Sequence, residues 1–350
     1  MSTGLLSTSA FASRASGGHS SSSPLKQGLK FYAGKTLTWV DPGSAGSTFD
    51  VTARIVAPYV AKYLGAAAVN VLDDSGGNSV AGSDYIAAQP ATGLVFGLLE
   101  STNVLALAVT GTPGLNFNPE REAFVGTIPN PACTVVTTKP GSALSSFASI
   151  LAATPSSPAV EETEPTGGTY INQRLFNIAF GINARIITGY SSSNAILQGF
   201  LRGDSDVISN NTSGMVASIN GGAAKPVAIS LPCPKAASFS SVVRGVPTYA
   251  QLFKTYPAKT ADQKVARSYL FASTALPTEA LVTQTKVPAD EVAALRWAIQ
   301  QAEQNKSCQT QLNASGNPYG WTSGPTAKAA YITLTKIYPK IYKFLGIPTV

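Results

Sequence analysis

The sequence predicts an α/β protein with mainly parallel sheets flanked by helices. From Leu37 onward, short β-prone runs alternate with helical stretches, which is the order expected of βαβ units. Several of these runs lead directly into a Gly/Ser/Thr loop at a helix start, and such loops form ligand sites beyond the carboxyl ends of strands. At 350 residues, the chain can form two or three domain-sized units.

Taken in order, the β-prone runs place strands at 37–40, 68–72, 93–98, 134–138, 159–162, 184–188, 207–209 and 226–231. The apolar-periodic stretches between them place helices at 49–63, 79–88, 145–151, 169–180, 193–201 and 212–219. The last third is predicted to be mostly helical, with helices at 249–253, 261–271, 289–305 and 326–344. Pro288 followed by two acidic residues is typical of a helix start.

The most informative stretch is 40–53, which reads V-D-P-G-S-A-G-S-T-F-D-V-T-A. A strand, a glycine turn and a helix N-terminus are predicted there, so several backbone N–H groups should point outward at the positive end of a helix dipole. Ser44 and Ser47 can add hydroxyl donors, and a small anion would fit. The alternative is that Gly43 and Gly46 only make a tight connection. No Gly-Lys-Ser/Thr follows, so the loop is not a P-loop.

Five further loops of this kind occur at predicted helix starts. With the first, they are 42–48, 75–79, 101–103, 166–169, 190–193 and 209–213. Their side chains are mostly neutral donors, which indicates a polar pocket that holds an anion without a counter-charge.

Composition excludes several classes of function. Charged residues make up 12% of the chain, and the net charge of +7 is dispersed without a basic run, so nucleic acid is not an expected partner. No apolar run reaches 18 residues, as a membrane-spanning helix would require. The three cysteines form no C-x-x-C pair and are expected to be small buried hydrophobes, with a Cys133–Cys233 bridge as the alternative.

Histidine usage argues against an enzyme. The one histidine, His19, lies in the low-complexity segment 16–23, so a Ser-His-Asp or Cys-His set cannot be built in the folded part. We therefore expect no catalytic residue, no metal site and no cofactor. Residues 1–27 are expected to be a disordered tail, and Ala10 to Ala12 resembles the cleavage site of a truncated export signal.

The sequences of these loops resemble those of a known protein family. The run F-Y-A-G-K-T-L-T-W-V-D-P-G-S-A-G-S-T-F-D-V-T-A-R resembles the N-terminal signature of the periplasmic substrate-binding proteins of tripartite tricarboxylate transporters, the Bug family. Five further segments resemble the family in order: 69–82, 166–176, 189–207, 245–253 and 287–299. The chain departs from the family pattern at Ser44, at Tyr170 and at 89–93.

The resemblance implies a two-lobed periplasmic-binding-protein fold of the Venus flytrap type, type II, with lobe one at 28–134 plus 231–350 and lobe two at 135–230. The chain would cross between lobes near Cys133 and Cys233, which could then pair. It also implies an exported monomer in the periplasm or another extracytoplasmic space. That monomer would capture a small carboxylate and deliver it to the membrane subunits of a tripartite tricarboxylate transporter.

The ligand carboxylate would be held between two helix N-termini. The residues that the resemblance implies as ligand contacts are Ser44, Ala45, Gly46, Ser47, Asp50, Ser79, Thr102, Gly168, Thr169, Tyr190 and Asn211. Each has a structural alternative. Ser79 and Thr169 would only cap helices, Tyr190 would close a lobe edge, Asn211 would hold a turn, and Asp50 would be a first-turn helix acid.

Two other functions compete with solute delivery. The same fold could act as a ligand sensor for a two-component kinase. A serine hydrolase is a second alternative, because Gly77 to Ala81 resembles a nucleophile elbow without its last glycine. The sequence leaves the cargo open among citrate, dicarboxylates, acidic amino acids and aromatic acids.

Overall fold

A computed structural model of the chain describes residues 23–100, 104–105, 108, 111, 118, 121–128, 133–163, 167–231, 241–275, 279–317 and 319–349. Its strands are β1 Thr36–Asp41, β2 Ala68–Asp73, β3 Val95–Glu100, β4 Ala123–Thr127, β5 Thr134–Thr138, β6 Ala159–Glu162, β7 Ala184–Ile187, β8 Val207–Asn211, β9 Lys225–Ile229, β10 Glu279–Thr283 and β11 Thr322–Ser323. Its helices are α1 Pro24–Tyr32, α2 Thr48–Leu64, α3 Gly76–Ala88, α4 Phe147–Leu151, α5 Gly168–Phe180, α6 Ser193–Arg202, α7 Thr212–Asn220, α8 Tyr249–Thr255, α9 Ala261–Ala275, α10 Ala289–Gln304, α11 Lys306–Ala314 and α12 Gly324–Phe344.

The strands form two sheets, which confirms the α/β prediction. A six-stranded sheet has the order β11-β4-β10-β3-β1-β2, and a five-stranded sheet has the order β7-β6-β8-β5-β9. We call each sheet with its helices the first unit and the second unit. Both sheets are mixed, because β1 is parallel to β2 and β3, and β6 is parallel to β7 and β8, while the remaining ladders are antiparallel.

Some elements were not predicted from the sequence. They are the strands β4, β10 and β11 and the helices α1 and α11. Helix α1 shows that residues 24–27 do not belong to a disordered tail. Its start is marked by Ser23, which caps the helix by accepting a hydrogen bond from the Lys26 amide. Within the helix, Gly28 packs so closely on α10 that a Cβ atom would lie 2.1 Å from the Asp290 carbonyl oxygen.

The first unit is organised by helix α2, which covers one face of the six-stranded sheet. Its buried residues recur at helical spacing, with Val56, Val60 and Leu64 all pointing into the core. In the sheet, Trp39 and Phe96 lie in the same core cluster, with ring centroids 5.2 Å apart. Burying these large apolar side chains supplies the main stabilisation of the unit and fixes the start of α2 above β1.

The second unit has an aromatic core beneath α5. Phe176 and Phe180 of α5 pack against Phe147 and Tyr249, with ring centroids 4.9 to 6.4 Å apart. Helix α9 lies on the same side, where the Arg267 Nε atom donates to the Ala179 carbonyl oxygen at 2.9 Å. Residues 249–275, which fall within the predicted lobe one, therefore contact the five-stranded unit. The lobe boundaries themselves stay predictions.

Among the described residues, none of the helices is both long and apolar enough to cross a lipid bilayer.

Candidate functional site

The predicted strand, glycine turn and helix start at 40–53 are present. Strand β1 ends at Asp41, and α2 begins at Thr48 after its N-cap, Ser47, whose Oγ atom accepts a hydrogen bond from the Asp50 amide at 3.2 Å. The turn is tight, because a Cβ atom at Gly43 would lie 2.4 Å from the Ser47 Oγ atom. Glycine is also suited to position 46, where φ is +78°.

The structure uses one of the predicted ligand donors internally. The Gly46 amide donates to Oδ2 of Asp50 at 2.7 Å, and the Ser47 amide donates to the Ser44 carbonyl oxygen at 2.9 Å. Asp50 is buried and lies in the first turn of α2, as its structural alternative predicted. Ser44 is half-buried, and Ala45 and Gly46 are exposed at the tip of the loop. Because the Gly46 amide already donates to Asp50, Ser44 and Ala45 are better placed to meet a ligand.

Three carboxylates lie below this loop. Asp41 ends β1, Asp73 ends the adjacent β2, and these two residues pair directly in the parallel register. With Asp50, they bring carboxylate oxygens within 4.8 Å of one another. Arg54 bridges two of them, with its Nε atom 2.5 Å from Oδ1 of Asp50 and its Nη2 atom 2.6 Å from Oδ2 of Asp73.

The electrostatics of these carboxylates follow from burial and crowding. Burial, and then the charges of Asp73 and Asp50, raise the pKa of Asp41 to about 7, against smaller lowering effects from the Gly43 amide and Arg54. The pKa of Asp73 is also raised, first by burial and then by its hydrogen bond and charge interaction with Asp50. Asp41 and Asp73 were not predicted as site residues, because their proximity depends on the register between β1 and β2.

A second helix start lies in the other unit. Helix α5 begins at Gly168 after its N-cap, Gly167, whose φ is +96° and which has no side chain with which to cap the helix. Gly168 is buried and Thr169 is half-buried, so the first turn lies at the protein surface without being fully open. Because the amides of a first helical turn have no partners within the helix, this helix start is suited to an anion. Thr169 does not cap the helix, since it is the second helical residue.

The two units touch at the loops predicted to form the pocket. The Oγ1 atom of Thr48, at the start of α2, lies 3.4 Å from the Oγ atom of Ser213, in the first turn of α7. Asn211 is the N-cap of α7, and its side chain makes no capping hydrogen bond. Its backbone amide donates to Oδ1 of the neighbouring Asn210 at 2.8 Å. Ser213 lies in a loop singled out from the sequence but was not predicted as a ligand contact.

The parallel strands place this contact at the carboxyl-terminal edges of the two sheets. The carboxyl ends of β1, β2 and β3 share one edge of the first sheet, and those of β6, β7 and β8 share one edge of the second. Along the chain, five of the predicted loops come after these strands, and the sixth, 209–213, spans the end of β8 and the start of α7. The contact between Thr48 and Ser213 joins one loop of each edge, so the two carboxyl-terminal edges approach each other there.

Tyr190 is held at the side of the second unit. Its hydroxyl donates to Oδ2 of Asp204 at 3.4 Å, and its ring packs on the cluster that contains Phe200. Burial first, and then the charge and hydrogen bond of Glu162, raise the pKa of Tyr190 to about 12, with Asp204 contributing less. These contacts favour the structural alternative for Tyr190.

Two predicted contacts cannot be placed in full. Ser79 lies in the first turn of α3, which has Ser75 as its N-cap, but the Ser79 side chain is outside the described part of the chain. Thr102 lies outside the described residues altogether, as does His19.

The cysteines behave in two ways. Cys133 is disulfide-bonded, whereas Cys308 is a free, buried thiol. Cys133 therefore differs from the expected small buried hydrophobe, and Cys308 agrees with it. Cys233 lies outside the described residues, so its pairing with Cys133 stays a prediction.

Comparison with known proteins identifies the fold. No protein-family model matches the sequence, and no curated protein matches it. Solved structures do match. A TctC solute-binding protein from Polaromonas is 17% identical with a TM-score of 0.63, and the alignment covers 89% of this chain and 99% of that one.

Two further solved structures give the same result. The periplasmic binding protein BugD is 15% identical with a TM-score of 0.68, covering 90% of this chain and 99% of that one. An R. palustris protein solved with adipate is 16% identical with a TM-score of 0.69, covering 89% of this chain and 98% of that one. The chain thus has the two-lobed fold of TctC and Bug periplasmic solute-binding proteins, which confirms the fold that the resemblance implied.

Proposed function

We propose that this chain is a non-catalytic, extracytoplasmic solute-binding protein that captures a small carboxylate between its two units. The observation that carries the proposal is the start of α5, whose N-cap, Gly167, has no side chain, at the carboxyl-terminal edge of the second sheet. That edge meets the corresponding edge of the first sheet at Thr48 and Ser213. Backbone amides at a helix start favour an anion without requiring a charged side chain.

The ligand carboxylate is assigned to the first turn of α5, where it would bind the amide and the hydroxyl of Thr169, beside Gly168. Ser44, Ala45 and the Ser47 hydroxyl face it from the first unit, while Gly46 and Asp50 shape that loop by bonding to each other. Asn211 and Ser213 bound the site on the α7 side, and Ser79 and Thr102 stay proposed contacts to the rest of the ligand. Closure of the units would add contacts from both sides, which is how a ligand favours the closed state.

The chemistry of the ligand follows from the neutral donors. A dicarboxylate fits, and the structurally similar R. palustris protein was solved with adipate. By the same likeness, we propose that the protein works as a monomer in the periplasm and delivers its ligand to the membrane subunits of a tripartite tricarboxylate transporter.

A thermal-shift screen tests the proposal. The purified full chain is mixed with di- and tricarboxylates, acidic amino acids, aromatic acids and neutral sugars. A ligand that binds only the native state raises Tm according to RT ln(1 + [L]/Kd), so one class of acid should give a concentration-dependent shift. A response confined to an uncharged solute would contradict the proposal.

A pair of matched variants then locates the site. Thr169→Val removes a hydroxyl at the proposed site and keeps the side-chain shape, and it should weaken binding of the acid by about tenfold. Thr333→Val makes the same change on α12, where the hydroxyl donates to the Ala329 carbonyl oxygen of the same helix, and should leave binding unchanged. Equal affinities in the two variants would remove Thr169 from the site.

A further inference from the structure

The three carboxylates below the first loop lie close together, and one of them is also fully buried. Asp41 is 0% exposed, and neither of its carboxylate oxygens accepts a hydrogen bond of normal geometry from the described part of the chain. One of its oxygens lies within 4.8 Å of an oxygen of Asp50 and of an oxygen of Asp73. A buried carboxylate in this position needs a positive partner, because leaving it charged and unpaired is costly.

Arg54 does not supply that partner. Its guanidinium pairs with Asp50 and Asp73, and no ion pair joins it to Asp41 within the described residues. The Arg54 side chain is also 51% exposed, whereas that of Asp50 is 6% exposed. The one guanidinium therefore pairs with two of the three carboxylates. The negative charge of Asp41, on the buried side of the cluster, is left without an ion-pair partner among the described residues.

We propose that Asp41, Asp50 and Asp73 bind a calcium ion. Hard divalent cations prefer carboxylate oxygens, and Ca²⁺ lies about 2.3–2.6 Å from each oxygen, so two ligands on opposite sides of it are about 4.6–5.2 Å apart. One oxygen from each carboxylate lies within 4.8 Å of the other two, close enough for a single cation to reach all three. Mg²⁺ dehydrates reluctantly and usually keeps several waters, so a buried set of three carboxylates suits it less well. Water would complete the shell from the side of Asp73, whose side chain is 22% exposed.

The ion would reinforce the loop above it. Asp50 holds the Gly46 amide through Oδ2, while Asp41 ends the strand that enters the same loop. A cation shared by both residues would fix the entry and exit of 42–47 and offset the negative charge beneath it. The proposal does not depend on which solute the protein carries.

The test measures calcium binding directly. The full chain is stripped of metal with a chelating resin, and Ca²⁺ and Mg²⁺ are titrated in by calorimetry and in thermal unfolding. We expect one Ca²⁺ per chain, a Tm that rises with free Ca²⁺, and at least tenfold weaker binding of Mg²⁺. Absence of Ca²⁺ binding would overturn the proposal, and equal affinity for Mg²⁺ would overturn the choice of ion.

Two variants separate the cluster from adventitious binding. Asp41→Asn should weaken Ca²⁺ binding by at least tenfold. Glu303→Gln neutralises another buried acid of the first unit, which accepts the Gly320 amide at 2.8 Å, and should leave Ca²⁺ binding unchanged. Unchanged binding in Asp41→Asn would contradict the proposal. If that variant does not fold by circular dichroism, Asp73→Asn, at the more exposed ligand, decides by the same criterion.

Discussion

The helix starts at Thr48 and at Gly168 differ in how their surroundings use the backbone amides. At α2, the Ser47 side chain caps the helix, Asp50 takes the Gly46 amide, and three carboxylates lie below the loop. At α5, the N-cap is Gly167, which has no side chain with which to cap the helix. The sequence predicts that both helix starts bind an anion. At the first, Asp50 accepts from the Gly46 amide and the Ser47 side chain accepts from the Asp50 amide, whereas at the second the N-cap residue supplies no side-chain acceptor. A glycine N-cap therefore distinguishes the second helix start from the first.

The largest expected effect comes from removing donors at the second helix start. Thr169→Pro eliminates both the amide and the hydroxyl of Thr169, and proline is tolerated in a first helical turn. Loss of two hydrogen bonds to a charged group, at about 1.5 kcal/mol or more each, should weaken carboxylate binding more than about hundredfold. Calorimetry measures the affinity, and a loss below about fivefold would place the carboxylate elsewhere.

A buried acid in the second unit makes the free energy of unfolding depend on pH. Glu161, beneath α5, accepts a hydrogen bond from Asn177 Nδ2 at 2.7 Å, and burial raises its pKa from 4.5 to about 7. The native state therefore holds a proton that the unfolded state releases, so the free energy of unfolding should fall as pH rises from about 4.5 to about 7. The fall amounts to at most about 3 kcal/mol, since one pKa unit corresponds to about 1.4 kcal/mol.

Glu161→Gln should remove that part of the pH dependence, because glutamine stays neutral. Urea unfolding at pH 4.5, 6 and 8 measures it. Asp262→Asn, an exposed acid in the first turn of α9, serves as the matched control and should keep the slope of the wild-type protein. An undiminished slope in Glu161→Gln would show that Glu161 is ionised in the native state.

A smaller effect is expected at the capped helix start. Ser47→Ala removes the hydroxyl that accepts the Asp50 amide and should lower the free energy of unfolding by about 1 kcal/mol. It should weaken carboxylate binding less than Thr169→Pro does. Chemical denaturation and calorimetry on the same preparation compare the two, and the reverse order of binding losses would mean that the first loop is the main grip.

The smallest effect is expected for an exposed ion pair beside Tyr190. The Arg202 and Asp204 side chains are 61% and 40% exposed and lie 2.8 Å apart. Arg202→Ala should change the free energy of unfolding by less than about 0.5 kcal/mol, because solvent screens such pairs. A loss above about 1 kcal/mol in urea unfolding would show that the pair supports the Tyr190 edge.

Local signals explain what the sequence predicted well. Strands β5 and β6 were predicted at their observed bounds, and the start of α2 was predicted within one residue, because each is set by a short β-prone run or by a Gly/Ser loop. Strand β10 was missed, since it is stabilised by antiparallel pairing with β3 across a long sequence separation, as in the pair of Leu281 with Leu98. Such pairing leaves little trace in local sequence.

The candidate site likewise combines features that local sequence predicted with features that depend on long-range contacts. The loops were predicted because strand ends and glycines are local features, and the fold brings Thr48 and Ser213 together. The cluster of Asp41 and Asp73 depends on the register between β1 and β2, and the use of the Gly46 amide depends on how Asp50 turns back toward the loop. Neither arrangement can be read from residue types alone.

The most direct test of the account follows backbone amide signals by TROSY NMR while the acid selected in the thermal-shift screen is added. A carboxylate bound at the start of α5 should shift the amide signals of Gly168 and Thr169 strongly and move that of Gly46 much less, because Gly46 already donates to Asp50. A large shift at Gly46 with none in the first turn of α5 would contradict the central claim that the helix start with a glycine N-cap holds the ligand.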